Sequence, residues 1–150
     1  MAASQAGLGY GAQFYTGTSG LTPTYTGVAE IATINFAGFT VPEVDVTHLL
    51  SPSSTEESIP GLLKPGTIEL TGNYTGAASQ QTLNTLGQGR TIFPFKIDGP
   101  MGDGTNIYTV TGTCFVTKLS KGPFDAKKKI DFSATLQVTG TFTETVDAPG

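Results

Sequence analysis

The sequence predicts a mainly β protein with one short helix. Three observations carry this. Near the C-terminal end, Ile130, Phe132, Ala134, Leu136, Val138 and Phe142 alternate with Asp131, Ser133, Thr135, Gln137, Thr139 and Thr141. A period of two describes a strand with one buried face and one polar face. Charged residues are only 13% of the chain, Trp is absent, and Gly, Thr and Ser abound. That composition suits strands with Thr on their wet faces and excludes a coiled coil or a highly charged tail. Helical spacing surfaces in one place only, "SQQTLNTLG", and it is short.

Taken in order, residues 1–27 are rich in Gly, Ala and Thr and read as a flexible arm with a strand at Tyr10 to Thr16. "EIATINF" (Glu30 to Phe36) and "EVDVTHL" (Glu43 to Leu49) read as strands, with Val44 and Val46 on one side and Asp45 and Thr47 on the other. A Ser/Pro/Glu-rich segment, residues 50–60, is too long for a tight turn, and loops of this kind are functional or disordered. In the next strand Ile68, Leu70 and Tyr74 oppose Glu69, Thr71 and Asn73. Ser79 can cap the helix and Gly87 can stop it. "TIFPFKI" is a strand whose Pro94 belongs at an edge or a bulge. "GPMGDG" is a turn, and "NIYTVTGTCFVTKL" runs as a long strand to Leu119. The basic loop "SKGPFDAKKK" then reverses the chain into the alternating last strand, and the 150 residues suit a single domain.

No constellation of residues offers catalysis. His48 is the only histidine, and on a strand Asp45 and His48 would point to opposite faces. That geometry defeats a triad with Ser51, which needs the carboxylate to orient the imidazole toward the hydroxyl. Cys114 lies among Thr and Phe and reads as a packed thiol, unable to form an internal disulfide because it is the only cysteine. One His and one Cys cannot hold zinc. The pairs Glu56/Glu57 and Asp98/Asp103 lack the spacing of a calcium loop, and the glycines of "GLGYG" and "GQGR" miss the dinucleotide pattern. Asn73-Tyr74-Thr75 has the form of a glycosylation acceptor, but no secretory signal accompanies it. A net charge of -4 argues against wrapping nucleic acid through its phosphates. No run is long enough to span a membrane as a helix. No enzyme and no cofactor are expected.

Read as one unit, "EVDVTHLLSPSSTEESIPGL…G…ELTGNY" resembles the phage tail tube proteins, or major tail proteins, of long non-contractile-tailed phages and gene transfer agents. The matching positions are Asp45, Val46, Thr47, Ser51, Glu57, Ile59, Pro60, Gly61, Leu62 and Gly66. The similarity extends upstream through "YTGVAEIATI" and downstream through "KKKIDFSATLQVTG", roughly residues 7 to 146. One departure is "LLKPG", where the family often carries an acidic residue.

The resemblance implies an antiparallel β-sandwich or barrel with one short flanking helix, whose long strands join into an inter-subunit barrel as subunits form hexameric rings, stacked into a tube in the virion tail. DNA would pass through the lumen without specific binding. Assembly in the host cytoplasm follows, with tape measure, tail terminator and tail tip proteins as partners. Residues 50–60 become an assembly loop, disordered until it meets a neighbour. Contacts between rings or subunits fall on Glu56, Glu57, Ile59, Pro60, Gly61 and Leu62, and on the lysines Lys118, Lys121, Lys127, Lys128 and Lys129. Lumen-lining candidates are Glu69, Asp131, Thr135, Gln137 and Thr139, a surface that neither grips phosphate nor presents a dry barrier. Alternatives are a non-catalytic β-sandwich binding module, for instance for carbohydrate, or the tube protein of a contractile or secretion system. The lack of Trp weighs against sugar binding.

Overall fold

The computed structural model describes residues 11–18, 20, 22–101 and 106–147. Among these residues, eleven strands and one α-helix follow one another. The early strands are β1 (Gln13–Gly17), β2 (Tyr25–Gly27), β3 (Ile31–Phe36), β4 (Phe39–Thr40) and β5 (Glu43–Asp45). Next come β6 (Ser58–Pro60), β7 (Lys64–Pro65), β8 (Thr67–Asn73) and α1 (Ala78–Gln88). The chain ends with β9 (Phe93–Pro100), β10 (Ile107–Lys121) and β11 (Asp131–Asp147). Seven strands form one antiparallel sheet in the order β2-β1-β9-β10-β11-β8-β3. The predicted enclosure thus takes the form of a single curled sheet. It is open among the described residues; the Val28 amide donates to the Phe14 carbonyl at 2.9 Å, extending the β1–β2 ladder by one residue before the chain passes into β3 at the other edge.

The alternation of β11 does what its period requires. Phe132, Leu136 and Val138 are at most 1% exposed, and on β8 Ile68, opposite Leu136, and Leu70, opposite Ala134, are fully buried. Phe14, Phe93, Phe95, Val110 and Cys114 continue this core across β1, β9 and β10. Helix α1 lies against it through Leu83, with Gly87 packed on Val116 so closely that a Cβ would sit 3.2 Å from that side chain. On β8, Gly72 is required by a closer approach: a Cβ there would lie 2.1 Å from the Glu30 carbonyl oxygen, where β3 bulges.

Several boundaries differ from expectation. The strand expected over Tyr10 to Thr16 is described from Gln13 to Gly17 as β1, an interior strand with Phe14 buried and Thr16 6% exposed, and β2 takes Tyr25–Gly27 into the sheet as well. Residues 1–10, and with them Tyr10 and most of "GLGYG", lie outside the described residues, as does Asp103. The strand expected over Glu43 to Leu49 stops at Asp45. Lys118 and Lys121 belong to β10, not to the basic loop, because the strand continues past a bulge and pairs Lys118 with Thr135 and Lys121 with Phe132. Pro94 sits just beyond Phe95, the last β9 residue paired with β1, an open end that tolerates a missing amide donor.

Ser79 does not cap the helix. The residue at the cap is Ala77, and the Ser79 hydroxyl instead accepts the Ala29 amide at 3.0 Å. Its neighbour Gln80, fully buried, accepts the Thr75 amide at 3.0 Å and donates to the carbonyls of Ala29 and Asn73 at 2.9 and 2.8 Å. One side-chain amide therefore ties the helix to both chain segments beside it, and no buried polar side chain is left unsatisfied among the described residues.

Candidate functional site

Between β3 and β8 the chain leaves the sheet as a long hairpin, residues 37–66. It carries two short ladders, β4 with β7 and β5 with β6, in which Val44 faces Ile59. Almost every residue along it is exposed, apolar ones included. Leu49 is 104%, Leu50 86% and Leu62 89% exposed. Of the twelve large apolar side chains exposed among the described residues, nine lie between Phe39 and Leu63. A soluble chain seldom presents so concentrated an apolar surface without a partner for it.

The tip of this arm is organised by its own polar groups. The Asp45 carboxylate accepts the Thr47 amide at 2.9 Å, turning the chain out of β5; contacts with Thr47 hold its pKa below the ordinary value. Across the tip, the Glu57 amide donates to the Thr47 hydroxyl at 2.8 Å, and the Val46 amide donates to the Glu57 carbonyl at 3.0 Å. The Ser51 hydroxyl accepts the His48 amide and donates to the Glu57 carboxylate, both at 2.9 Å. His48 Nε2 lies 3.4 Å from the same carboxylate, and its Nδ1 accepts the Leu50 amide at 3.1 Å.

A Ser/Glu-rich composition reads as disorder, but here these residues satisfy one another. Glu57 accepts from Ser51, faces His48 and is spent within the loop. Glu56 makes no such contact among the described residues, and both Ile59 and Leu62 are exposed. Pro60 pairs with Glu43 on β5, and the Gly61 amide donates to the Pro42 carbonyl at 2.7 Å.

Ser51, His48 and Glu57 meet, as sequence reasoning did not foresee, yet not as a nucleophile's triad. The serine proton goes to the carboxylate, and one imidazole nitrogen is occupied by a backbone amide. The network is structural. Cys114 is buried, which pushes its thiol pKa well up and leaves it protonated. Burial, with Glu144 adding, also raises the pKa of Tyr108.

The polar face of the sheet gathers the other candidates. Asn35, Glu69, Thr135 and Lys118 form one cross-strand row, and Thr33, Thr71, Ser133 and Ser120 form the next. Hydroxyls meet along the second row, Thr33 with Thr71 and Ser120 with Ser133. Asp131 is taken up by Lys129, and Lys121 stands 5.3 Å from the centre of the Tyr74 ring. Thr139 shares a row with Thr113, whose hydroxyl donates to the Thr139 carbonyl at 2.7 Å. Lys127 and Lys128 are exposed in the loop before β11, where the Asp125 carboxylate accepts the Lys127 amide at 2.9 Å. Gln137 turns its amide toward the foot of the arm and is, like Thr135 and Thr139, partly buried.

No protein-family model matches the chain, and no curated protein matches its sequence. Solved structures do share its fold. A chain from the tail of an empty GTA particle, refined with C6 symmetry, superposes with a TM-score of 0.71 at 16% identity, covering 93% of this chain and 99% of that one. The SPP1 tail tube gives a TM-score of 0.61 at 16% identity, over 92% of this chain and 77% of that one. The sheath–tube complex of an extracellular contractile injection system, PVC, gives 0.64 at 14% identity, over 93% and 90%. In fold, this chain is similar to the subunits of phage, gene-transfer-agent and injection-system tails.

Proposed function

We propose that the protein is a structural subunit of a phage-type tail tube, assembling into hexameric rings that stack into a conduit for DNA in the virion tail. The observation that carries this is the arm: a hairpin cross-linked at its tip by its own hydrogen bonds, presenting exposed apolar side chains. The fold shared with tail structures supports the reading, and ring closure would also cover the open sheet edges β2 and β3. Tape measure, terminator and tip proteins are the further partners of such a tube. A tube inside a contractile machine is a second reading, favoured by the likeness to the PVC complex.

Within the tube, the hydroxyl-rich face bearing Glu69, Thr135 and Thr139 would line the channel. Glu56 of one subunit would lie near Lys127 and Lys128 of another. Electron microscopy of the concentrated protein tests the assembly: rings or tubes are expected, and monodisperse monomers at every concentration overturn it. Replacing Glu69, Thr135 and Thr139 with Lys in assembled particles should slow DNA ejection, and unchanged ejection places that face outside the channel.

A further inference from the structure

The arm joins the sheet at a narrow foot. There the Ala37 amide donates to the Thr67 carbonyl at 2.9 Å and the Gly66 amide to the Gly38 carbonyl at 2.7 Å. Gly38 has φ +77°, a conformation glycine takes at little cost. At Gly66 a Cβ would lie 2.9 Å from the Ala37 Cβ and 3.0 Å from the Gly38 carbonyl oxygen, so the two chain passages touch. Such a foot could let the arm swing.

Two ties reach it from β11. One is apolar: Phe142 meets Phe39 at 6.3 Å and Phe36, edge-on, at 5.6 Å between ring centres. Apolar contact holds but is non-directional. The other is directional. The Gln137 side-chain nitrogen lies 3.0 Å from the Pro65 carbonyl, 3.1 Å from that of Gly66 and 3.0 Å from that of Val138. Its two protons are shared among three acceptors, two on the returning strand of the arm and one on β11 itself. The Gly66 carbonyl accepts the Val138 amide as well, at 3.3 Å. A clamp of this form fixes direction, because hydrogen bonds weaken steeply as they bend.

We propose that Gln137 is a positioning residue: it sets the angle at which the arm leaves the sheet and, through that angle, the spacing and rotation of neighbouring subunits in the tube. The second half rests on the tube reading; the first does not. Spin labels at Thr55→Cys and Ser120→Cys, with Cys114 buried, report the arm angle in the free subunit as a distance distribution. The parent protein should give one narrow distribution. Gln137→Leu, which keeps bulk but removes both donors, should broaden or shift it while the subunit stays folded. Gln137→Glu should do the same at neutral pH, where a carboxylate faces three carbonyls, and should recover on acidification as the protonated acid regains one donor.

In assembled tubes, Gln137→Leu should alter the twist or rise between rings or abolish assembly. Thr135→Val, on the same face of the same strand but away from the foot, should alter neither. An unchanged distance distribution in Gln137→Leu overturns the clamp. A changed distribution with parent-like twist and rise overturns the link to spacing. A parent protein that forms no tubes overturns the tube reading, and the spacing half with it, while the distances still judge the clamp.

Discussion

The sheet and the arm obey the same alternation of apolar and polar residues and come to opposite ends. On β11, Leu136 lies in register between Val116 and Ile68, Val138 lies beside Cys114, and both are at most 1% exposed. On the arm, Val44 and Ile59 face one another across a two-stranded ribbon with nothing beneath, at 44% and 50% exposure. A lone ribbon is marginal in water, so this one is held by tip hydrogen bonds and by its foot. Alternation therefore says that one face seeks cover. It does not say whether the cover lies in the same chain.

That contrast can be broken most forcefully from the sheet side. Leu136→Ala empties a fully buried site and should cost about 2–5 kcal/mol of subunit stability. Denaturant unfolding measures it, and a loss below that range would mean the core is less closed than its burial indicates. A smaller effect is expected where the helix is tied down. Gln80→Leu keeps the volume but strands the Thr75 amide and the Ala29 and Asn73 carbonyls, at about 1–3 kcal/mol. The amides of residues 29 and 75 should then exchange with solvent faster than those of β10.

From the arm side, the subunit should hardly notice change. Leu49→Ser with Leu50→Ser alters two side chains that touch solvent, so unfolding should move by no more than about 0.5 kcal/mol. Assembly should nevertheless fall sharply, as read by sedimentation. Normal assembly would remove the leucines from the interface, and a large loss of subunit stability would show that the tip packs on its own body.

The chain displays its sheet more openly than its arm. The strict alternation of β8 and β11 is a local pattern that burial follows from Ile68 to Gly72 and from Phe132 to Val138, and the one helical stretch buries Leu83. β1 is legible as a strand over Tyr10 to Thr16 but not as an interior one, because Phe14 and Thr16 are set among glycines and threonines and only their partners on β9 fix its place. Gln80, Ser79 and Gln137 are illegible for a deeper reason. Their roles depend on backbone groups 5 to 72 residues away, whose proximity the fold creates. At the tip, one position decided the outcome. A strand through Thr47 would have parted Asp45 from His48, but the Asp45 turn ends the strand first and lets Glu57 collect both Ser51 and His48.

The smallest expected difference lies within the arm, between two adjacent glutamates that composition treats alike. Glu57 is bound by Ser51 and stands beside His48, whereas Glu56 extends into solvent. Glu57→Gln should loosen the tip, with faster exchange at the amides of residues 46 and 57. Because the site is partly exposed, the stability change should stay within about 0–1 kcal/mol. Glu56→Gln should leave that exchange untouched and act only between subunits. If Glu56 meets Lys127 and Lys128 of a neighbour, Glu56→Lys should weaken assembly most at low salt, where surface charges are least screened. Reversing Lys127 and Lys128 to Glu in the same chain should restore it. Ring symmetry repeats any such contact, so a weak pair can still set register. Failure of the double reversal would separate the loops, and a Glu56→Gln effect on tip exchange would erase the distinction between the two carboxylates.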